Sequence, residues 1–429
     1  MKILEYKNLS ENEKIQALKR PAIKAKDDIV KICKELIADV RQRGDKALIE
    51  QALNFDKVEI SSIKVSKDEI QNASKRLSKD LKEAIKTAYN NIHSFHKAQE
   101  FKSITVNTMP GVKCELVSRP IDSVGLYIPG GLAPLLSTTL MLAIPAKIAK
   151  CKRIVLASPA KIDDAILYCA KLCGVDEVYQ MGGAGAVAAL AYGSESVKKV
   201  DKIFGPGNAF VTAAKSLVSA DIDGCAIDMQ AGPSEVLVIA DDEANVSFVA
   251  SDLLSQAEHG ADSQVILLCL SMNFAKALIK ELEKQLSILP RKEIASKAIE
   301  NSRIIIVKDL NEALEVSNAY APEHLILQCK EPRKLVPLVK HAGSVFLGEF
   351  APESMGDYAS GTNHVLPTYG LTRVNSSLSL SDFYKKMTVQ ELSKNGFKRL
   401  AKTVEILAQA EQLQAHKNAV SIRLKSLNA

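Results

Sequence analysis

The alternation of polar and apolar positions changes rhythm along the chain. From residue 1 to about 107, lysine-rich sequence carries apolar residues at three- and four-residue spacing, as in DDIVKICKELIADVRQRGDKALIEQA. That spacing predicts amphipathic helices. From Val124, short apolar runs (VGLYI, RIVLAS, DEVYQM, KVDKIF) alternate with helical stretches such as STTLMLAIPAKIA and DDAILYCAKLCG. A second series (EVLVIA, QVILLCL, RIIIVKD, HLILQ, SVFLGE) follows the turn-forming AGPSE. Strands alternating with helices in this way predict parallel α/β units. After about Asn375 the strand signal stops, and residues 382–429 read as helical, polar and lysine-rich. The expected organisation is a mainly helical region over 1–107, an α/β domain over 108–233, a second over 234–375, and a helical arm over 376–429. Such an arm suits either packing on a neighbouring subunit or an ordinary surface helix.

Composition narrows the partners. The 429 residues are 47% apolar and 25% charged, the balance of a globular enzyme rather than a disordered chain. Lys and Arg exceed Asp and Glu by only 6, and no basic cluster alternates with aromatic residues, which argues against nucleic acid. The uncharged stretch Ser123 to Ala146 is long enough to span a bilayer, but Pro129, Gly130, Gly131, Pro134 and Pro145 interrupt it. It reads as buried loop and helix, with no membrane partner. The amino terminus shows no apolar run before a small-residue cleavage site, so the expected compartment is the cytoplasm. Eight cysteines without a C-x-x-C read as reduced thiols, and Cys169 and Cys173, four apart, as core.

Several segments carry possible chemistry. Gly183-Ala184-Gly185-Ala186-Val187-Ala188 fits G-x-G-x-x-A after a strand-like run, and Asp201 stands near the spacing of a ribose-binding acid; a plain tight turn is the alternative. Gly205-Pro206-Gly207-Asn208 also follows a strand and opens a helix, either as an anion or ribose cradle or as an ordinary turn. His93 and His96 read as surface residues, and His341 as the end of a lysine-rich helix. Gln256 and His259, at i and i+3, share a helix face; with Asp357 from a glycine-rich loop they offer nitrogen and oxygen ligands suited to Zn²⁺ or a similar divalent ion, and satisfied structural polar residues are the alternative. Glu323-His324 joins a carboxylate to an imidazole at the start of a strand, a pairing suited to general-base work on water. Adjacent strand residues point to opposite faces, so both serve one site only if the dyad lies in the loop before the strand.

These segments resemble, in order, the histidinol dehydrogenase family. The resemblance rests on Ile227-Asp228-Met229-Gln230-Ala231-Gly232-Pro233-Ser234-Glu235-Val236, on Asp252-Leu253-Leu254-Ser255-Gln256-Ala257-Glu258-His259, on Ala321-Pro322-Glu323-His324-Leu325, on Asn363-His364-Val365-Leu366-Pro367-Thr368, and on the Gly205–Asn208 turn. It covers nearly the whole chain and is weakest before about residue 110. It implies two incomplete Rossmann-like parallel-sheet domains with helical extensions, swapped across a homodimer. It also implies four-electron oxidation of L-histidinol to L-histidine through histidinaldehyde, the last step of histidine biosynthesis, with two NAD consumed. By the same resemblance Gln256, His259, Asp357 and His416 hold one Zn²⁺ per active site and, with His324, touch substrate. Glu323 activates water, His324 is the general base, Ser234, His364 and Glu411 hold substrate, and Tyr127 and Asn208 contact NAD.

Chemistry agrees with that division. Aldehyde oxidation needs either a cysteine adduct or a hydrate, and no cysteine here has an activating histidine close in sequence, which favours water. Three positions depart from the family. Gly185 stands where the family has Gln as an NAD contact, and the same replacement creates the apparent glycine fingerprint. Gln230 replaces a proline and Gln412 a glycine. On an unbroken helix Glu411 and His416 lie about 140° apart, so they act together only if the helix breaks between them, or else reach different sites of a dimer. A sister dehydrogenase for a sulfonated or other small amino alcohol would keep the zinc and base positions, but Glu411 and His364 favour histidinol. A regulatory protein that had lost catalysis would lack Glu323-His324 or a zinc ligand, and all are present.

Overall fold

Apolar runs without polar alternation belong in parallel strands covered on both faces, and the two series form two such sheets. The computed structural model describes residues 1–21, 26–130, 134–230 and 232–428; Gly131 and Ala231 of the segments above lie outside them. In chain order the strands are β1 (Lys2–Glu5), β2 (Ile104–Met109), β3 (Val112–Pro120), β4 (Ser123–Tyr127), β5 (Arg153–Ser158), β6 (Glu177–Gln180), β7 (Lys202–Phe204) and β8 (Ala226–Ile227). There follow β9 (Glu235–Ala240), β10 (Gln264–Cys269), β11 (Arg303–Ile306), β12 (His324–Gln328), β13 (Ser344–Leu347) and β14 (Tyr384–Leu392). The chain divides into two compact units, residues 1–99 with 121–382, and residues 100–120 with 383–429.

The first unit holds both parallel sheets. One has the order β6-β5-β4-β7-β8, the other β1-β11-β10-β9-β12-β13. Strand order reverses between β4 and β7 in the first sheet and between β9 and β12 in the second. These are the switch points where doubly wound sheets open a crevice. Strands β9 and β10 are buried at every residue, so alternate side chains feed two apolar layers on opposite faces of the second sheet. Helix Asp164–Cys173 buries Cys169 and Cys173 as core, and burial lifts the Cys169 thiol to about 12. No helix among the described residues is long and apolar enough to cross a membrane.

The second unit is an antiparallel sheet, β14-β3-β2, with the helices Lys394–Ala410 and Gln414–Asn428. Strand β14 corrects the reading of 382–429 as wholly helical. After its first residue it is exposed throughout, so it has none of the apolar run by which the buried strands announce themselves. Residues 104–120 form a hairpin with it rather than opening the first α/β domain.

The amino-terminal region needs a similar correction, because Lys2–Glu5 is an edge strand of the second sheet, in register with Arg303–Ile306. His96 is not a surface residue. It continues the buried face Ile85, Ala88, Ile92 of helix Lys79–Lys97, its Nδ1 donating to the Ile92 carbonyl and its Nε2 facing the Asn363 amide. His341 ends no helix; the nearest helical turn stops at Leu338, and the His341 amide donates to Asn318.

Two buried ion pairs organise the loops of the first unit. Arg20 donates from Nε and Nη2 to the two oxygens of Glu235 at 2.5 and 2.9 Å, and from Nη2 to the carbonyls of Tyr320 and Ala321 at 3.0 and 3.1 Å, while stacking on the Tyr320 ring. Ala321 has a left-handed φ of 58°, an arrangement costing a non-glycine residue about 1–2 kcal/mol. Arg20 therefore holds a strained turn immediately before Glu323 and His324. In the first sheet Lys215 bonds Asp228 at 2.5 Å and the Gly205 carbonyl at 2.8 Å, while Asp228 accepts from the Gly205 amide at 2.7 Å. Gly205 has φ +121°, and a Cβ there would meet the Tyr127 carbonyl at 2.1 Å, so only glycine lets the β7 turn lie against the end of β4.

The carboxy-terminal helices part at Gln412, whose φ is 60°. Glu411 and His416 thus stand on either side of a helix break, and the 140° separation does not apply. Gln412→Gly is expected to stabilise the second unit by up to about 1 kcal/mol, read as slower amide exchange in Lys394–Ala410 and a small rise in melting temperature. Arg20→Met strands a buried carboxylate and is expected to cost about 3–5 kcal/mol in urea unfolding, with a smaller loss when Glu235→Gln is added.

Candidate active site

Buried polar atoms almost always find a partner. Of the eight side-chain atoms among the described residues that do not, three, Gln256 Oε1, His324 Nε2 and Glu353 Oε2, belong to neighbouring side chains at the amino ends of β9 and β12. The backbone of Glu235 fixes two of them. Its carbonyl accepts from His324 Nδ1 at 3.0 Å and from Gln256 Nε2 at 3.1 Å, using both lone pairs. The donated hydrogens settle the tautomer and the amide orientation, so His324 Nε2 and Gln256 Oε1 are the free ends.

The same residue fixes Glu323, whose Oε2 accepts from the Glu235 amide at 2.8 Å and lies 3.6 Å from His324 Nδ1. Only Glu323 sits in the loop before β12, and His324 is the first residue of the strand, so the expectation that the dyad lies in the loop is met for Glu323 alone; the two side chains meet because both bond the backbone of Glu235. Burial raises the Glu323 carboxyl above its usual range despite the neighbouring imidazole.

His324 Nε2 lies 3.5 Å from Asp357 Oδ1. Burial would lower the His324 pKa, but the Glu353, Glu323 and Asp357 carboxylates around it hold it well above the ordinary imidazole value. Burial likewise raises Asp357, and His324 outweighs it to hold the carboxyl below its usual range. A cation among these carboxylates would offset them and favour the neutral, proton-accepting imidazole.

The donor set fits a divalent metal. Ligand atoms of His259, Glu353 and Asp357 lie within 4.8 Å of one another, with His259 exposed and Glu353 at the buried floor. Gln256 Oε1 adds an unsatisfied amide oxygen from the same helix end as His259. Imidazole and oxygen donors in this mixture suit zinc. Ser234 Oγ lies 3.5 Å from His259 Nδ1. His364 has both nitrogens engaged, Nδ1 donating to the Asp357 carbonyl at 2.8 Å and Nε2 accepting from Thr138 at 3.0 Å. A ligand there would meet the ring or displace Thr138.

Thr138 belongs to helix Leu136–Ile148, which follows β4, and Asn363 donates to the Met141 carbonyl of the same helix at 2.7 Å. The cluster therefore adjoins the carboxyl-end crevice of the first sheet. Tyr127 ends β4, and its hydroxyl accepts from the Gly183 amide at 3.1 Å; burial lifts it to about 12. Asn208 caps helix Ala209–Ala220, Oδ1 accepting from Phe210 and Val211. Both stand at the β4/β7 switch point. The Gly183–Ala188 fingerprint follows edge strand β6 instead, and Asp201 accepts from the Ser123 amide at the opposite ends of the strands, so it cannot serve a ribose there. A Cβ at Gly185 would meet Gln51 Oε1 at 2.0 Å; the side chain missing at 185 is replaced in space by one from another helix.

Glu411 and His416 are exposed residues of the second unit. Four residues of the first unit escaped sequence reasoning: Arg20, Thr138, Glu235 and Glu353. Glu353 alone left a legible trace, four residues before Asp357 and therefore on the same face of a helical turn.

Comparison with known proteins agrees with this geometry. The histidinol dehydrogenase family model matches residues 18–424. The chain is 71% identical to histidinol dehydrogenase of Campylobacter jejuni strain RM1221, covering 100% of both chains, and 57% identical to that of Escherichia coli K12, covering 99% and 98%. The crystal structure of histidinol dehydrogenase from Elizabethkingia anophelis superposes with a TM-score of 0.96 at 48% identity, over 100% of this chain and 99% of that one. The chain thus belongs to the histidinol dehydrogenase family, the NAD-linked enzymes of the final oxidation of histidinol to histidine in histidine biosynthesis.

Proposed function

We propose that this chain oxidises L-histidinol by four electrons, through histidinaldehyde held at the site, with one zinc ion per active site and two NAD consumed in turn. The observation that carries the reading is the cluster of His259, Glu353 and Asp357 ligand atoms with His324 Nε2 3.5 Å from Asp357 Oδ1, beside Gln256, whose Oε1 is unsatisfied and whose Nε2 lies 3.3 Å from His324 Nδ1. Gln256, His259, Asp357 and His416 are the zinc ligands in this reading. Ser234, His364 and Glu411 hold the substrate, and Tyr127 and Asn208 contact NAD. Glu411 and His416 are carried by the arm of one copy into the site of the other in a homodimer. The enzyme works in the cytoplasm.

Zinc held by those residues would supply a fixed positive charge to orient the imidazole and amine of the substrate, and bound NAD would accept hydride. The residues of the chain position the reactants and move protons. His324 Nε2, its ring locked by the Glu235 carbonyl, takes the hydroxyl proton of histidinol in the first oxidation. Glu323, with Oε2 tied to the Glu235 amide, uses Oε1 to take a proton from the water that attacks the aldehyde. The proton that His324 took in the first oxidation goes to the aldehyde oxygen as water adds, so that the hydrate forms and the imidazole is free again. His324 then takes a hydroxyl proton of the hydrate while the hydrate's hydride leaves to the second NAD, and histidine results. Positioning by Ser234 and the metal ligands supplies the remaining rate.

The test is the number of NADH formed per L-histidinol consumed, for zinc-loaded and chelator-stripped protein. The expected result is two, lost on stripping and restored by Zn²⁺; one NADH, or turnover indifferent to stripping, contradicts the reading. Glu323→Gln is expected to slow oxidation of supplied histidinaldehyde by about 10²–10⁴-fold while sparing the first hydride transfer in a single-turnover experiment. His324→Gln slows both. A homodimer is expected in sedimentation, and a fully active monomer would exclude sharing of the arm.

A further inference from the structure

We infer that Asp56 is the ribose-binding acid of the NAD site, its carboxylate accepting from the 2′-hydroxyl of the adenosine ribose at the carboxyl end of β5. The inference rests on the NAD contacts proposed above and adds a residue to them.

Sheet order says where such an acid belongs. In doubly wound dinucleotide-binding sheets the acid that bonds the ribose stands at the end of the second strand, which lies beside the first on the side away from the switch point. With the order β6-β5-β4-β7-β8 and the reversal between β4 and β7, that place is the end of β5. The strand itself brings no acid there, since it runs out in Ser158-Pro159-Ala160-Lys161. Asp56 fills the place from outside the sheet. Its Oδ2 accepts from the Ala160 amide at 3.0 Å, and its charge acts on the Tyr127 hydroxyl at the end of β4.

The segment that carries Asp56 is shaped for that position. Helix Asp45–Gln51 widens into a π-turn over Ala52–Asp56, which Lys57 ends with a left-handed φ of 59°. Turns of this kind recur at functional sites. Gln51 occupies the place of a side chain at Gly185, so the segment lies against the helix that follows β6. Beside Asp56 the strand ends make a ledge. A Cβ at Gly130 or Gly182 would meet Pro159 at 2.8 or 3.0 Å, so the turns after β4, β5 and β6 abut there, whereas a Cβ at Gly183 would meet nothing within 4 Å. The Gly183 amide donates to Tyr127, whose own hydroxyl hydrogen stays available to a ligand. Asp56 is half-buried, and among the described residues it accepts from the Ala160 amide alone and has no ion-pair partner. Burial outweighs that one bond and raises its carboxyl above the usual range. A donor to the second oxygen would relieve it, and a ribose hydroxyl is such a donor. A 2′-phosphate in the same place would set a dianion against the carboxylate, so the residue also selects NAD over NADP.

The test is the dissociation constants of NADH, of NADH lacking the adenosine 2′-hydroxyl, and of NADPH, by nucleotide fluorescence, for the zinc-loaded full-length protein and its Asp56→Asn variant. Asn keeps an oxygen for the Ala160 amide while removing the charge. Wild type is expected to bind NADH about 10- to 100-fold more tightly than the 2′-deoxy form, the worth of a hydrogen bond to a charged group. Asp56→Asn should lose a similar factor for NADH, lose little for the 2′-deoxy form, and bind NADPH no more weakly than wild type does. A wild type indifferent to the 2′-hydroxyl overturns the inference whether or not the variant folds. A variant that weakens all three nucleotides equally also overturns it, because a purely structural acid would do the same. NADH affinity unchanged in Asp56→Asn but weakened in Asn208→Ala overturns the inference and leaves the proposed NAD contacts standing. Unchanged affinity in both overturns the inference and those contacts together.

Discussion

The backbone of Glu235 is the constraint on which the site depends. Its amide holds Glu323, its carbonyl holds both His324 and Gln256, and its carboxylate is clamped by Arg20 and the Tyr369 amide. As the first residue of β9 it pairs with Gln264 of β10, and its neighbour Val236 pairs with His324 of β12, in a sheet buried on both faces. Rigidity there passes to three reactive side chains through hydrogen bonds of 2.8–3.1 Å. A proton-transferring group must sit within such tolerances, and here a sheet enforces them rather than a loop.

Two parallel sheets offer two different ends to the chemistry. The first uses the carboxyl ends of β4 and β7, where doubly wound sheets ordinarily bind ligands, and Lys215 with Asp228 pins the turn that carries Asn208. The second uses the amino ends of β9 and β12. Helix Val246–Ala257 runs back from the far end of β9 and delivers Gln256 and His259 there. Helix Leu136–Ile148 joins the two regions, since Thr138 and Met141 bond His364 and Asn363. In the proposed reading, the NAD contacts and the groups for proton removal therefore lie in one unit without sharing a sheet.

The buried strands were legible because continuous apolar runs such as EVLVIA and QVILLCL have few alternatives to a two-sided parallel sheet. Exposed β14 and edge strand β1 were not, because partners distant in sequence rather than their own apolar patterns make them strands. Among site residues, Gln256, His259, Glu323 and His324 announced themselves by unusual polar company beside apolar runs. Arg20 and Glu235 did not, since a pairing across 215 residues has no local signature. His96 misled for a related reason: a polar residue in a polar helix looks exposed until its apolar neighbours at four-residue spacing are counted. Gln412 shows the converse, a left-handed residue whose type hides the break that glycine would have advertised.

The central claim is that unsatisfied buried atoms at the amino ends of β9 and β12 mark one cation site beside His324. Anomalous diffraction at the zinc edge, from crystals of zinc-loaded enzyme with histidinol, tests it most directly. The account predicts a single strong peak bounded by Gln256 Oε1, His259 and Asp357, with the ligand's hydroxyl-bearing carbon within reach of His324 Nε2. A peak elsewhere with histidinol bound away from His324, or ordered histidinol at His324 with no metal beside it, would contradict it.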